Sequence, residues 1–215
     1  MVRRWLAAYV RRRFAWLLAL LLLTIGIDPV LEGFAFEART LEWMLAFALF
    51  AAAIGTSARG PHFARGLALV FALSLGGWLV LTLGGPDTGS PLEPALLGVS
   101  SLTMAALLLA VVLGRGRVDG ERICAALCVY LLTGIAFGGI FAAFEALSPG
   151  SLSAGGDDIS GAIYFSFVTL ATLGYGDILP ATPAMRSLAI LEAVMGQFYV
   201  AVLVAKLVTE YARER

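Results

Sequence analysis

The chain has 215 residues, of which 60% are hydrophobic and 14% charged, and its formal net charge is zero. A soluble globular domain carries about 25% charged residues, so the composition excludes one, and the charge balance offers no bulk attraction to nucleic acid. The apolar residues gather into runs of the length that crosses a bilayer, about 20 residues for a ~30 Å hydrocarbon core. The expected class is an all-α, polytopic membrane protein. Arginine outnumbers lysine fourteen to one and alanine is abundant, which points to a GC-rich, bacterial genome.

The N-terminal "VRRWLAAYVRRR" sets Trp5, Leu6 and Tyr9 near one helical face among arginines. That pattern suits an interfacial helix on anionic lipid, and equally a plain positive-inside signal. The first apolar run, 14–27, is short for a span and is expected to continue N-terminally, with Arg11, Arg12 and Arg13 reaching to the headgroups. It runs into Asp28-Pro29 with no small-residue cleavage site, so no signal peptide is expected. Further runs follow at 41–58, 63–83, 94–113, 123–147 and 184–209, giving six expected spans. Cys124 and Cys128 sit i,i+4 on the fifth as small buried apolar residues, without the further ligands a metal would need. Between the fifth and sixth lies a shorter piece, 160–171, whose ~18 Å as a helix cannot cross the membrane.

Six spans put both termini on one side, and thirteen of the fifteen basic residues then fall there; only Arg39 and Arg186 lie opposite. By the positive-inside rule that side is cytoplasmic. The outer segments are acidic, with Asp28, Glu32, Glu37, Asp87, Glu93, Asp157 and Asp158. The expected division is a four-helix membrane domain over 1–118 and a second domain over 119–215. His62, the only histidine, reads as a solvated residue of a cytoplasmic loop.

The stretch "SFVTLATLGYGDILP", 166–180, interrupts the apolar pattern with glycines and an acid. Non-helical backbone is tolerated at membrane depth only when buried in protein or lining a watery cavity. A short helix that enters, stops and returns as an extended Gly-Tyr-Gly strand is therefore expected to be a re-entrant pore loop. A dehydrated cation needs oxygens in place of its water, and rings of backbone carbonyls supply them. Aiming successive carbonyls at one axis takes unusual dihedrals, which Gly174 and Gly176 adopt at least cost. Leu173 and Tyr175 are then expected to point away from the axis, and Thr172 to add a hydroxyl. Ser160 is expected to cap the short helix, with Asp157 and Asp158 near its positive end; the carbonyl end then faces the membrane centre. Asp177 lies at the outer mouth, where it is expected either to hydrogen-bond to the short helix or to attract cations.

"TLATLGYGD", 169–177, resembles the selectivity filter of tetrameric potassium channels, usually written T-x-T-T-V-G-Y-G-D; the carbonyl-ring account is that family's own. The resemblance covers about 122–215. It implies a filter of Thr172, Leu173, Gly174, Tyr175 and Gly176, with K+ held at the first four; Thr169, Asp177 and, by the reading given below, Glu192 are expected as its support and outer mouth. The sequence departs from the pattern at Ala171, usually threonine, and Leu173, usually valine, and Phe165 stands where many relatives carry tryptophan. One loop is one quarter of a ring, so a homotetramer is implied. The partners implied are K+, membrane lipid and three further copies of the chain. No cofactor is implied beyond permeant K+, and no nucleophile–base set marks an enzyme.

In the last span, Gly196 falls where the resemblance puts an inner-helix hinge, or else it permits close helix packing. Glu192, about 12 Å into that span by helical rise, is an intramembrane acid and so a functional hypothesis. It either supports the filter from behind or lines the cavity. Gln197 is placed either to hydrogen-bond between helices or to pack shielded from lipid. The fourth span, "PALLGVSSLTMAALLLAVVL", has no arginine or lysine. Moving one charge through the membrane field is worth about 2.3 kcal/mol per 100 mV, so no voltage sensor is expected there. Arg215 falls six residues after the last span, and no cytoplasmic regulatory domain is expected. The expected function is passive, voltage-independent K+ conduction. A weakly selective cation channel is the alternative within the class; a non-conducting scaffold or a transporter stands outside it.

Overall fold

The computed structural model describes residues 12–32, 72, 76–77, 90–114, 119–153, 156 and 158–213. Among the described residues, five helices with described bounds follow in order: α1 (Arg13–Glu32), α2 (Leu92–Leu113), α3 (Gly120–Leu147), α4 (Ile159–Leu170) and α5 (Pro183–Arg213). Among the described residues there is no strand beyond an isolated bridge between Leu152 and Pro180. Leu92–Leu113, Gly120–Leu147 and Pro183–Lys206 are each long and apolar enough to cross a membrane. They carry the fourth, fifth and sixth expected spans. The second and third lie outside the described residues, apart from 72, 76 and 77, as do His62, Asp157 and the arginine-rich segment before residue 12.

The first expected span differs in extent. α1 runs from Arg13 to Glu32, past the expected end at 27; the expected N-terminal continuation before residue 12 lies outside the described residues. Pro29 removes one amide donor without ending the helix.

The chain divides into two compact units, residues 1–70 with 103–131 and residues 71–102 with 132–215. In the first, α1 buries Phe14, Leu17, Leu21 and Thr24, one stripe at spacings of three and four. Its N-terminus is satisfied from a distance: the Phe14 amide donates to Glu121 Oε2 at 3.0 Å. At the other polarity, the Arg122 guanidinium donates to the carbonyls of Val111 (3.3 Å), in the last turn of α2, and of Gly114 just beyond it, placing a cation at a helix C-terminus.

In the second unit, close approach depends on glycine. Lipid tails are as apolar as leucine, so membrane helices associate through packing at small residues. A Cβ on Gly139 would lie 2.7 Å from both Gly98 N and Pro94 O, so α2 and α3 touch backbone to backbone. A Cβ on Gly138 would sit 2.7 Å from Ile163 Cα, and one on Gly134 2.7 Å from the Phe167 ring. One face of α3 therefore seats α4. Beside that seat, Phe137, Phe141, Ala142, Leu152, Ala162, Phe165 and Met185 form a buried cluster. Phe141 meets Phe165 edge-on with ring centroids 5.0 Å apart.

The cap of α4 is Asp158, not Ser160. Asp158 has extended backbone (φ −109°, ψ 171°), and its carboxylate accepts from the Gly161 amide at 2.7 Å. Ser160 lies inside the first turn, where its backbone is already helical and cannot serve as a cap.

Candidate selectivity filter

The loop after α4 begins by closing that helix. Thr172 N–H donates to Thr169 O (3.0 Å) and Leu173 N–H to Val168 O (2.9 Å). This pair of bonds is the Schellman arrangement, and it demands a left-handed residue at its first position outside the helix. Thr172 occupies it with φ 55°, an unusual state for a β-branched residue. Gly174 and Gly176 follow with φ 61° and 81°. Every second residue from 172 to 176 is thus left-handed, while Leu173 and Tyr175 are not. Such alternation turns successive peptide planes toward one side. Within the single chain a Cβ on Gly174 or Gly176 would meet nothing within 4 Å, so inside the subunit glycine is required there for its dihedral angle and not for room. Thr172 to Asp177 are all exposed in the single chain.

The far end of the loop is held by residues that the sequence did not single out. Tyr164 Oη, on α4, donates to Asp177 Oδ2 at 2.6 Å, and Asp177 Oδ1 accepts the Ile178 amide at 3.0 Å. Asp177 thus has a partner one residue before Phe165, the position where an absent tryptophan drew attention. The exit segment is laced to the loop after α3: Ser153 N–H donates to Leu179 O (2.9 Å), Ala181 N–H to Ser151 O (2.8 Å), and Leu179 N–H to Ser153 Oγ (2.8 Å). That loop is itself shaped by Glu145, buried near the end of α3, whose two oxygens accept the amides of Gly150 (2.6 Å) and Leu152 (2.7 Å). Arg186 completes the lacing from α5, donating to the carbonyls of Pro180 (3.1 Å) and Ala181 (3.2 Å). No local pattern announces these contacts, because each joins residues distant in sequence or side chains to plain backbone.

The bond from Tyr164 holds the Asp177 carboxyl below the usual carboxylate range, and the same bond pushes the Tyr164 phenol up to about 12. Asp177 therefore contributes stability that is present above the ordinary carboxylate value and lost as pH falls through its lowered one. Tyr164 contributes below the ordinary phenol value and loses that contribution as pH rises through about 12. Tyr164→Phe is expected to return Asp177 toward an ordinary titration, read by carboxyl-carbon NMR. Wild type and variant should differ in stability at neutral pH and converge in strong acid.

Behind the loop, Glu192 is fully buried, and its Oε1 lies 2.5 Å from Ser166 Oγ on α4. Gly196 sits against the last turn of α4: a Cβ there would lie 2.6 Å from Leu170 O. α5 runs through Gly196 without a break. Gln197 Nε2 donates to Thr172 Oγ1 at 3.4 Å, at the start of the loop. Thr169 is half-buried, and its carbonyl accepts the Thr172 amide that closes α4. α5 is mostly uncovered: 11% of its apolar stretch is buried in the chain, against 56% and 61% for α2 and α3.

Residues 126–213 match the family described as "Ion channel". Among curated proteins, the chain is similar to "Two pore potassium channel c" of Oryza sativa subsp. japonica, 36% identical over 85 residues. That alignment covers 39% of this chain and 17% of the rice protein. No solved structure matches.

Proposed function

We propose that this chain, whose residues 126–213 match the family described as "Ion channel", is an ion channel that forms a potassium-selective pore from four identical subunits. The observation that carries the reading is the alternating left-handed backbone at Thr172, Gly174 and Gly176 within the sequence TLGYG. Backbone of this kind presents a column of carbonyl oxygens, and four columns around an axis replace an ion's hydration shell. Two further observations favour closure by identical copies. The loop is exposed in the single chain although its polar backbone needs a wet or protein-lined surrounding, and α5 beside it leaves most of its apolar surface uncovered. A closed ring of four gives each loop the same environment. The similarity to a protein named as a potassium channel favours K+ as the permeant ion.

In this reading Thr172, Leu173, Gly174 and Tyr175 hold K+ and Gly176 completes the filter, with Thr169 and Glu192 supporting it and Asp177 at its outer mouth. α4 is the re-entrant helix, directing its carbonyl end toward the membrane centre. α2, at the place of a voltage-sensing helix, carries Glu93 as its only ionisable residue, so conduction is voltage-independent. Both termini face the cytoplasm of a bacterial cell membrane.

A weakly selective cation channel is the second reading, favoured by Ala171 and Leu173. Reversal potentials of the reconstituted protein in mixed K+ and Na+ separate the two. The expected result is a potential that follows the K+ gradient, with chemical crosslinking giving species up to tetramer. Equal permeability to K+ and Na+ establishes the second reading; crosslinking that stops at dimers removes the fourfold pore.

A further inference from the structure

α5 buries one carboxyl group completely, and among the described residues no counter-charge accompanies it. α4 contributes a single ionisable residue, Tyr164, whose hydroxyl is bonded to Asp177. α3 has none between Tyr130 and Glu145, and Glu145 accepts the Gly150 and Leu152 amides. On α5 itself the nearest are Arg186, bonded to Pro180 and Ala181, then Tyr199 and Lys206 at least seven residues on. The contact of Glu192 is with Ser166, and its second oxygen, Oε2, is buried without a hydrogen-bond partner.

Proton counting around Ser166 then decides the chemistry. Ser166 Oγ lies 2.6 Å from Gly134 O and 2.5 Å from Glu192 Oε1. Both are hydrogen-bond separations, so each needs a proton between its oxygens. A serine hydroxyl supplies one proton, and a backbone carbonyl supplies none. The second proton can come only from Glu192. An ionised carboxylate would moreover leave charge on an unpartnered buried oxygen, whereas the neutral acid leaves a carbonyl oxygen, which is far less unfavourable.

We propose that Glu192 is a positioning residue acting as the un-ionised acid. Its O–H donates to Ser166, and Ser166 in turn donates to the Gly134 carbonyl. The relay ties α5 to α4 and α4 to α3, one turn before Leu170 and the Schellman turn that starts the loop. Its effect on conduction rests on the channel reading above; the protonation state does not.

The test is infrared spectroscopy of the full-length protein in liposomes, paired with K+ flux across a pH series. At neutral pH the wild type should show the C=O stretch of a protonated carboxyl that Glu192→Gln removes and Ser166→Ala shifts. Wild-type flux should fall about tenfold at alkaline pH as the relay loses its proton. Glu192→Gln, which keeps an N–H donor for Ser166, should conduct at neutral pH and lack that fall. A spectrum in which neither substitution changes a protonated-carboxyl band overturns the proposal, as does a shared alkaline fall in wild type and Glu192→Gln. If Glu192→Gln does not assemble, the Ser166→Ala shift decides alone. The band present in a protein that never conducts keeps the relay and removes the channel reading instead.

Discussion

Gly174→Ala is expected to reduce K+ flux to background while leaving the tetramer assembled. The added methyl meets nothing within 4 Å in the single chain, so crowding within the subunit plays no part. The effect comes from φ of 61°, a conformation that costs an L-residue about 1–2 kcal/mol and that the proposed tetramer would repeat in four copies around one ring. The strain is relieved by rotating the flanking peptides, which swings carbonyls off the axis. Flux into liposomes, run beside crosslinking of the same sample, checks this. Undiminished flux in assembled Gly174→Ala removes Thr172 to Gly176 as the conducting path. Gly176, at φ 81°, follows the same physics.

The second large effect is expected at Gly196. Its hydrogen faces Leu170, and a Cβ there would lie 2.6 Å from the Leu170 carbonyl oxygen and 2.9 Å from its Cδ1. A side-chain tip can swing away, but a backbone carbonyl in the last turn of α4 cannot move without disturbing the turn that launches the loop. Overpacking of this kind costs about 1–3 kcal/mol. Gly196→Ala should therefore lower the unfolding temperature of the tetramer and reduce K+ over Na+ selectivity together. A hinge predicts otherwise: unchanged thermal stability and selectivity with an altered open probability. Thermal melts and reversal potentials on one preparation distinguish the two roles.

The last third of the chain was the most legible. The short helix, the glycine pair and the long final helix follow from run length and from the conformations glycine permits, and α4 and α5 match 160–171 and 184–209 within a few residues at most ends. The cap of α4 was misplaced by two residues because Asp158 and Ser160 are both competent caps; only the extended backbone of Asp158 decides between them. Tyr164, Ser166, Glu145 and Ser153 were missed for a different reason. An aromatic, a serine or a glutamate in an apolar or turn context carries no sign of its partner, and theirs lie 5 to 32 residues away or on plain backbone. Glu192 stood out because an acid in an apolar run is anomalous by itself, yet the identity of Ser166 as its neighbour needed three helices in place. The C-terminal extent of α1 was lost because Asp28-Pro29 reads as a helix terminator, while the helix continues to Glu32.

Thr172 leaves a mark on the economy of the whole fold. A glycine there would finish the helix with less conformational penalty than a β-branched residue at φ 55°, so the chain is less robust than a one-residue change could make it. What glycine would forfeit is the hydroxyl within reach of Gln197. The junction between short helix and loop is thus a site where durability has been traded for one oxygen atom at the threshold of the passage.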